Sequence, residues 1–265
     1  MLLTVFTLSF VVVWCSIWPL FTFLGVLLVP PLRGGRFGGF VARRIWARPM
    51  LWAASQKVVL LDSDKCPSTP AIYLSNHQGT PDIALIYQLP VNLRFVAKAA
   101  LQHVPFLGWY MRADGHVFID RDKRRDAIRS LERAGERIRN GASVVMFPEG
   151  TRSRDGKILP FKKGPFRLAI AAQVPIVPLA VEGPRNCWPK GSYWITAGTC
   201  TLKVGTPIPT EGLGPQDCEA LMVKVRRAII DLHLQIGGAG GDLENNIAAQ
   251  GQHRPQDPIV ERKSA

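Results

Sequence analysis

The segment that decides the fold is AIYLSNHQGTPDIALIYQL, residues 71–89. Its first five residues are mostly apolar, which predicts a short buried strand over 71–75. An apolar helix is predicted over 83–89, with Thr80 as its N-cap and Pro81 at its first position. The segment therefore predicts a strand, a polar loop and a helix in direct succession, as in an α/β domain.

Strand and helix patterns alternate along the rest of the chain. The predicted strands cover residues 58–61, 71–75, 93–97, 117–120, 143–147, 174–181 and 199–204. Two longer helices are predicted over 126–139 and 215–236, where apolar residues recur at helical spacing. We therefore expect an α/β domain at residues 55–236, with a central β-sheet flanked by helices.

The N-terminal segment is uncharged. Residues 1–32 carry no charged side chain, and the run from Leu2 to Val29 is almost wholly apolar. Because roughly 20 such residues cross a bilayer core, we expect a hydrophobic membrane anchor, followed by a basic segment that ends at residue 54. Pro19 leaves two forms open, a single spanning helix and a re-entrant helical hairpin. A cleaved secretory signal fits less well, because no Lys or Arg precedes the apolar run.

Five arginines follow the apolar run and alternate with aromatic residues. They are Arg33, Arg36, Arg43, Arg44 and Arg48. Arginine beside Phe and Trp suits the headgroup layer of a membrane, and basic flanks favour its cytoplasmic side. We therefore expect the protein at a membrane, with its main domain on the cytoplasmic face.

The net charge of +13 indicates an anionic partner. Nucleic acid, anionic lipid and phosphorylated substrates all fit that sign, but the uncharged N-terminal run has no place in a nucleic-acid-binding protein. The five cysteines are scattered and form no CxxC pair, so neither a metal site nor a disulfide framework is predicted. The Gly-rich, polar segment 237–265 is predicted to be a mobile tail.

His77 and Asp82 are the first candidates for catalysis. On one continuous helix, side chains five residues apart point about 140° away from each other. The break at Gly79 and Pro81 allows the loop to fold His77 back onto Asp82. A carboxylate on one imidazole nitrogen fixes the tautomer and leaves the other nitrogen as a base. The plainer alternative is a polar loop that caps a helix.

A second polar loop, FPEGTRS at residues 147–153, also follows an apolar strand. Arg152 has the forked cation that suits a phosphate, and a turn at Gly150 exposes backbone N–H groups. Glu149 is a candidate partner for hydroxyl groups of a substrate. The alternative is a surface turn in which Glu149 and Arg152 pair with each other.

These motifs together resemble the glycerolipid acyltransferase family, whose bacterial members convert 1-acyl-glycerol-3-phosphate to phosphatidic acid. Four blocks match in order between residues 76 and about 183. The first is the HxxxxD motif from His77 to Asp82, and the third is FPEGTRS. The second covers 98–121, with Ala100 at a position where the family commonly has Glu, and the fourth is VPIVP at 174–178.

The resemblance implies a membrane-bound acyltransferase of phospholipid biosynthesis. Its donor would be acyl-CoA or acyl-carrier protein, its acceptor a lysophospholipid, and no cofactor or metal would be required. His77 and Asp82 would be catalytic. The substrate-binding residues would be Lys98, Arg121, Glu149, Gly150, Thr151 and Arg152. A lyso-lipid with another headgroup, such as a lyso-ornithine lipid, stays open as the acceptor, as does a non-catalytic lipid-binding module.

Overall fold

The computed structural model of the protein describes residues 1–28, 40–105, 107–119 and 124–242. These residues form one seven-stranded sheet with helices on both faces. The strands are β1 (Gln56–Leu61), β2 (Ile72–Ser75), β3 (Leu93–Lys98), β4 (Val117–Ile119), β5 (Ser143–Met146), β6 (Ile176–Glu182) and β7 (Gly198–Val204). All seven predicted strands are present, with small shifts at their ends. Asp120, the predicted end of the fourth strand, lies outside the described residues.

The strand order is β1-β7-β6-β2-β5-β3-β4. From β6 to β4 every neighbouring pair is parallel, whereas β7 runs antiparallel to β6. The central strands β2 and β5 are buried along their whole length, because helices cover both faces. This parallel core brings the carboxyl ends of five strands to one edge of the sheet.

The α-helices are α1 (Leu2–Leu28), α2 (Arg48–Ala53), α3 (Asp82–Ile86), α4 (Leu107–Ala113), α5 (Arg124–Arg139), α6 (Gly164–Ala172), α7 (Pro184–Cys187) and α8 (Cys218–Gln235). A π-helical turn, Ala42–Ala47, leads into α2, and three short 3-10 turns cover Ser63–Lys65, Ala99–His103 and Pro215–Asp217. The second predicted long helix is thus a 3-10 turn followed by α8. The helix after the HxxxxD loop is shorter than predicted and ends at Ile86, after which Gln88 N and Leu89 N donate to carbonyls three residues back, as in a 3-10 turn.

Helix α1 docks on the domain through two buried threonines. Thr7 Oγ1 donates to Ala53 O (2.8 Å), and Thr4 Oγ1 both donates to Ile195 O (3.2 Å) and accepts from Ile195 N (3.1 Å). Helix α1 continues through Pro19, and the split into a re-entrant pair, one of the two forms left open at that residue, is not seen. Within the described part of the chain, no helix is both long enough and apolar enough to cross a membrane.

The residues that follow α8 pack against the domain. Gly240 O accepts from Ile158 N (2.8 Å), Arg226 Nη1 donates to Asp242 O, and Gly240 N donates to His233 Nδ1 (3.3 Å). We call residues 237–242 the C-terminal strap. These bonds hold the strap against the domain, and the predicted mobile tail at 237–265 stays a prediction. Residues 243–265 lie outside the described part.

Candidate active site

The two polar loops leave the same edge of the sheet. Strands β2 and β5 are parallel neighbours, with Leu74 paired to Met146, so the loops after them emerge side by side. Strand β3 is the next neighbour of β5 and ends at the exposed Lys98. Loops at the carboxyl edge of a parallel sheet are the usual place for a binding site.

The first loop folds His77 onto Asp82. Asp82 begins α3 and is fully buried (0%), and its Oδ2 lies 2.5 Å from His77 Nδ1. The same oxygen accepts from Gln78 N (2.6 Å) and Gly79 N (3.0 Å). Because Asp82 accepts here, Nδ1 carries the proton and Nε2 is the basic nitrogen. The expected contact is present, and the catalytic roles stay predictions.

Neighbouring elements fix the shape of this loop. The Asn76 side chain pairs with the backbone of Val181 on β6, donating to its O (3.0 Å) and accepting from its N (2.8 Å). Gly79 is required by a close approach, because a Cβ there would lie 2.5 Å from Pro184 O. Pro81, and not Thr80 as predicted, is at the N-cap position of α3, since the helix begins one residue later. The hydroxyl of Thr80 contacts the second loop instead.

Glu149 links the second loop to His77. Its Oε1 accepts from His77 N (2.8 Å) and its Oε2 from Leu159 N (3.0 Å), and the residue is only 4% exposed. Burial raises the pKa of Glu149 to about 8, although both backbone bonds favour the carboxylate. Both oxygens are thus used within the protein. Glu149 therefore braces the loop, and its contact with an acceptor hydroxyl stays a prediction.

The side chain of Phe147 supports the imidazole. Its ring stacks on that of His77 with a centroid distance of 3.9 Å and an interplanar angle of 15°. Two acidic side chains, Asp82 at the ring and Glu149 at the backbone N–H, and one aromatic ring therefore restrict His77, whose side chain is 17% exposed. No local sequence pattern predicts this role of Phe147, because the histidine that it supports lies 70 positions away.

Comparison with known proteins identifies the family. The family model described as Acyltransferase matches residues 57–182. Human 1-acyl-sn-glycerol-3-phosphate acyltransferase alpha is 37% identical over 181 residues, which cover 66% of this chain and 64% of that protein. The mouse protein of the same name is 34% identical over 194 residues, which cover 71% of this chain and 68% of that protein. The chain belongs to the 1-acyl-sn-glycerol-3-phosphate acyltransferase family.

A solved member of this family shares the fold. The crystal structure of the 1-acyl-sn-glycerophosphate (LPA) acyltransferase PlsC from Thermotoga maritima matches with a TM-score of 0.74 at 29% identity, covering 86% of this chain and 92% of that one. The resemblance inferred from the four sequence blocks is thus confirmed. The matched part spans just under two thirds of the human relative.

Cationic side chains surround the second loop. Arg152 Nη1 donates to Thr80 Oγ1 (3.0 Å), so Arg152 does not pair with Glu149 in this structure. Lys190 Nζ donates to Thr151 Oγ1 (2.8 Å). Gly150 has φ +72°, and Lys162 lies where its side chain would otherwise be, 3.0 Å from the position of a Cβ. Lys162 and Lys190 lie outside the four sequence blocks and were missed. Arg121 lies outside the described residues.

An apolar cavity of about 190 Å³ lies beside these groups. Its lining includes Val96, Leu131, Phe147 and Lys162. It therefore adjoins the ring that stacks on His77 and has one cation in its wall. A larger cavity of about 400 Å³, lined by Asn92 and Ser143 among others, lies at the opposite edge of the sheet and contains none of the groups described above.

Proposed function

We propose that this protein is a 1-acyl-sn-glycerol-3-phosphate acyltransferase that moves a fatty acyl group from acyl-CoA or acyl-carrier protein to the 2-hydroxyl of its acceptor, giving phosphatidic acid. The contact between His77 Nδ1 and Asp82 Oδ2 (2.5 Å) carries this proposal. It supplies an oriented base at the edge of the sheet where the cations of the second loop also lie.

In the proposed reaction, His77 acts as a general base. Its Nε2 takes the hydroxyl proton while the acceptor oxygen bonds to the thioester carbonyl carbon. The C–S bond then breaks, and the leaving thiolate receives the proton back from Nε2. Asp82 keeps the ring oriented and stabilises the imidazolium between the two steps. The acceptor attacks directly, so no serine or cysteine nucleophile takes part.

The acceptor phosphate is assigned to the cations around the second loop. Arg152 is the first candidate, because its guanidinium can bind two phosphate oxygens at once and lies one hydrogen bond from Thr80, in the loop of His77. Lys190 lies beside Thr151 in the same way. Lys98 ends β3, two strands from β2, which corresponds to roughly 10 Å across the sheet. Arg121 stays a candidate from sequence.

The cavity beside Phe147 suits a hydrocarbon chain. Its wall is mainly apolar, and one end adjoins Gly150 and Lys162 in the phosphate region. A lipid substrate with an anionic headgroup needs this combination of an apolar groove and a cationic rim. We assign the groove to an acyl chain without choosing between donor and acceptor.

Helix α1 supports attachment to a membrane surface. Its two buried threonines face the protein, whereas Leu2, Val5, Val12 and Val13 are exposed. Exposed Trp52 of α2 extends this apolar face, and exposed Arg44 and Arg48 lie close to it in sequence. Apolar side chains next to arginines are typical of a helix that lies in the membrane interface. We propose this position for α1, with the catalytic domain on the cytoplasmic face.

A panel of acceptors tests the proposed function. The purified protein is incubated with lysophosphatidate, monoacylglycerol or a lyso-ornithine lipid, each with acyl-CoA and with acyl-carrier protein, and products are identified by mass spectrometry. We expect phosphatidic acid, formed with at least one donor and absent with His77→Ala. Product from the lyso-ornithine lipid alone would identify that lipid, in place of lysophosphatidate, as the acceptor. No product from any pair of acceptor and donor would favour a non-catalytic lipid-binding module.

A further inference from the structure

A buried polar cluster lies behind the catalytic loop. The side chains of Gln78 and His233, 1% and 0% exposed, meet at the carboxylate of Glu182. Gln78 Nε2 donates to Glu182 Oε2 (2.7 Å), and His233 Nε2 lies 2.7 Å from the same oxygen. The three residues come from the HxxxxD loop, the end of β6 and the last turn of α8.

The C-terminal strap determines the tautomer of His233. Because Gly240 N donates to Nδ1 (3.3 Å), the ring proton is on Nε2, which donates to Glu182. Burial alone would raise the pKa of Glu182, but the hydrogen bonds from His233 and Gln78 outweigh it and the pKa is lowered. Glu182 is therefore a carboxylate that receives two N–H donors on one oxygen.

Gln78 connects this cluster to the catalytic pair. Its side chain bonds Glu182, while its backbone N–H donates to Asp82 Oδ2 (2.6 Å), the oxygen that contacts His77. A shift of the Gln78 side chain therefore moves an N–H group that holds Asp82. Around metal sites, the loss of supporting hydrogen bonds of this kind typically costs about 10–100-fold in affinity or activity.

The strap also reaches the second loop. Gly240 O accepts from Ile158 N (2.8 Å), and the next residue, Leu159, donates to Glu149, which holds the backbone of His77. Gly238 packs against His233 so closely that a Cβ would lie 2.1 Å from the ring. His233 and the strap lie beyond residues 57–182, the segment that the family model matches.

We propose that Glu182 and His233 are positioning residues that the C-terminal strap holds in place. Through the side chain of Gln78 they fix the backbone N–H of Gln78 on Asp82. This contact keeps the His77–Asp82 pair in its working geometry. The proposal rests on the proposed function for its kinetic test alone. Neither residue contacts the reacting atoms. Their effect passes through Gln78, so their loss changes turnover more than acceptor binding.

The kinetic test uses His233→Ala, Glu182→Gln and His233→Gln in the full chain. We expect kcat per folded molecule to fall about 10–100-fold in the first two, with little change in acceptor KM. His233→Gln retains an N–H donor at the position of Nε2, so its kcat should be much closer to that of the wild type. Exposed His103→Ala is the matched control and should retain wild-type turnover.

Two readouts separate positioning from loss of folded protein. In the first two variants the acidic limb of the pH profile should move to lower pH, because the imidazolium loses a firmly held carboxylate. Nitrogen-15 NMR of labelled histidine should show His77 protonated on Nδ1 in the wild type and a tautomer mixture in His233→Ala. Wild-type kcat, pH profile and tautomer in His233→Ala would overturn the proposal. The NMR result stands even if no lyso-lipid is acylated, which would count against the proposed function alone.

Discussion

The catalytic edge of the sheet and the outer face of α1 place polar and apolar side chains in opposite ways. At the catalytic edge the acidic residues Asp82 and Glu149 are buried, and each accepts backbone N–H bonds. On α1 the hydroxyls of Thr4 and Thr7 face the protein, and apolar side chains face outward. The first region is held in one geometry by internal bonds, whereas the second has a surface suited to a non-aqueous phase.

The comparison predicts that the catalytic edge is intolerant of small changes. Asp82→Asn preserves the shape of the side chain but has one acceptor oxygen fewer. The new amide N–H either faces His77 or disturbs the tautomer of its imidazole. We expect turnover to fall about 10²–10⁴-fold while the melting temperature changes little. The control is Asp64→Asn, an exposed residue outside both polar loops. Near-normal turnover of Asp82→Asn, with trace wild-type enzyme excluded, would remove the base assignment of His77.

Substitution of Arg152 should affect recognition of the acceptor. Lysine keeps the charge but loses the fork, so Arg152→Lys should be impaired and Arg152→Ala more so. The measured quantity is the ratio of kcat/KM for lysophosphatidate to that for monoacylglycerol. We expect Arg152→Ala to lower this ratio by about 10–100-fold, since hydrogen bonds to charged groups contribute about 1.5–3 kcal/mol.

A matched control for this substitution lies two residues further along the chain. Exposed Arg154→Ala should leave the preference ratio unchanged. An unchanged ratio in Arg152→Ala would transfer the phosphate role to Lys98, Lys190 or Arg121.

The structures of the catalytic edge and of α1 differ in how far the sequence predicts them. Both polar loops were found because each follows a short apolar strand, and strand burial is encoded locally. The bonds that brace them were not found, since Asn76 pairs with Val181 and Gln78 with Glu182, more than 100 positions away. The docking face of α1 was missed for another reason. A wholly apolar run has no hydrophobic periodicity, and only the spacing of Thr4 and Thr7 marks the inward side.

The outer face of α1 should tolerate polar substitution without loss of the fold. The triple variant Val5→Ser, Val12→Ser and Val13→Ser removes exposed apolar side chains and should lower partition onto anionic vesicles by about 10-fold or more. Vesicle sedimentation measures the effect, and circular dichroism checks the fold. Val223→Ser, exposed on α8, is the control. Unchanged partition would contradict the proposed interfacial position of α1.

The smallest expected effect concerns the stability of the braced loop. Burial raises the pKa of Glu149 to about 8, so the folded protein keeps a proton that the unfolded chain releases near pH 4.3. The folded state then binds more protons across this window, and its stability falls as pH rises from about 4.3 to 8. Urea unfolding of Glu149→Gln should show a shallower fall. If the free energy of unfolding falls equally steeply with pH in wild type and variant, Glu149 is not the source of this pH dependence.

The most direct test of the central claim is acyl transfer to lysophosphatidate by His77→Ala, measured with a radiolabelled acyl donor in a single turnover. The contact between His77 and Asp82 predicts a fall of about 10²–10⁴-fold in the rate of phosphatidic acid formation. Folding and vesicle binding should be retained, since the loop is also held by Asn76 on Val181 and by the backbone N–H of His77 on Glu149. Formation of phosphatidic acid by His77→Ala at a rate near that of the wild type would contradict the account.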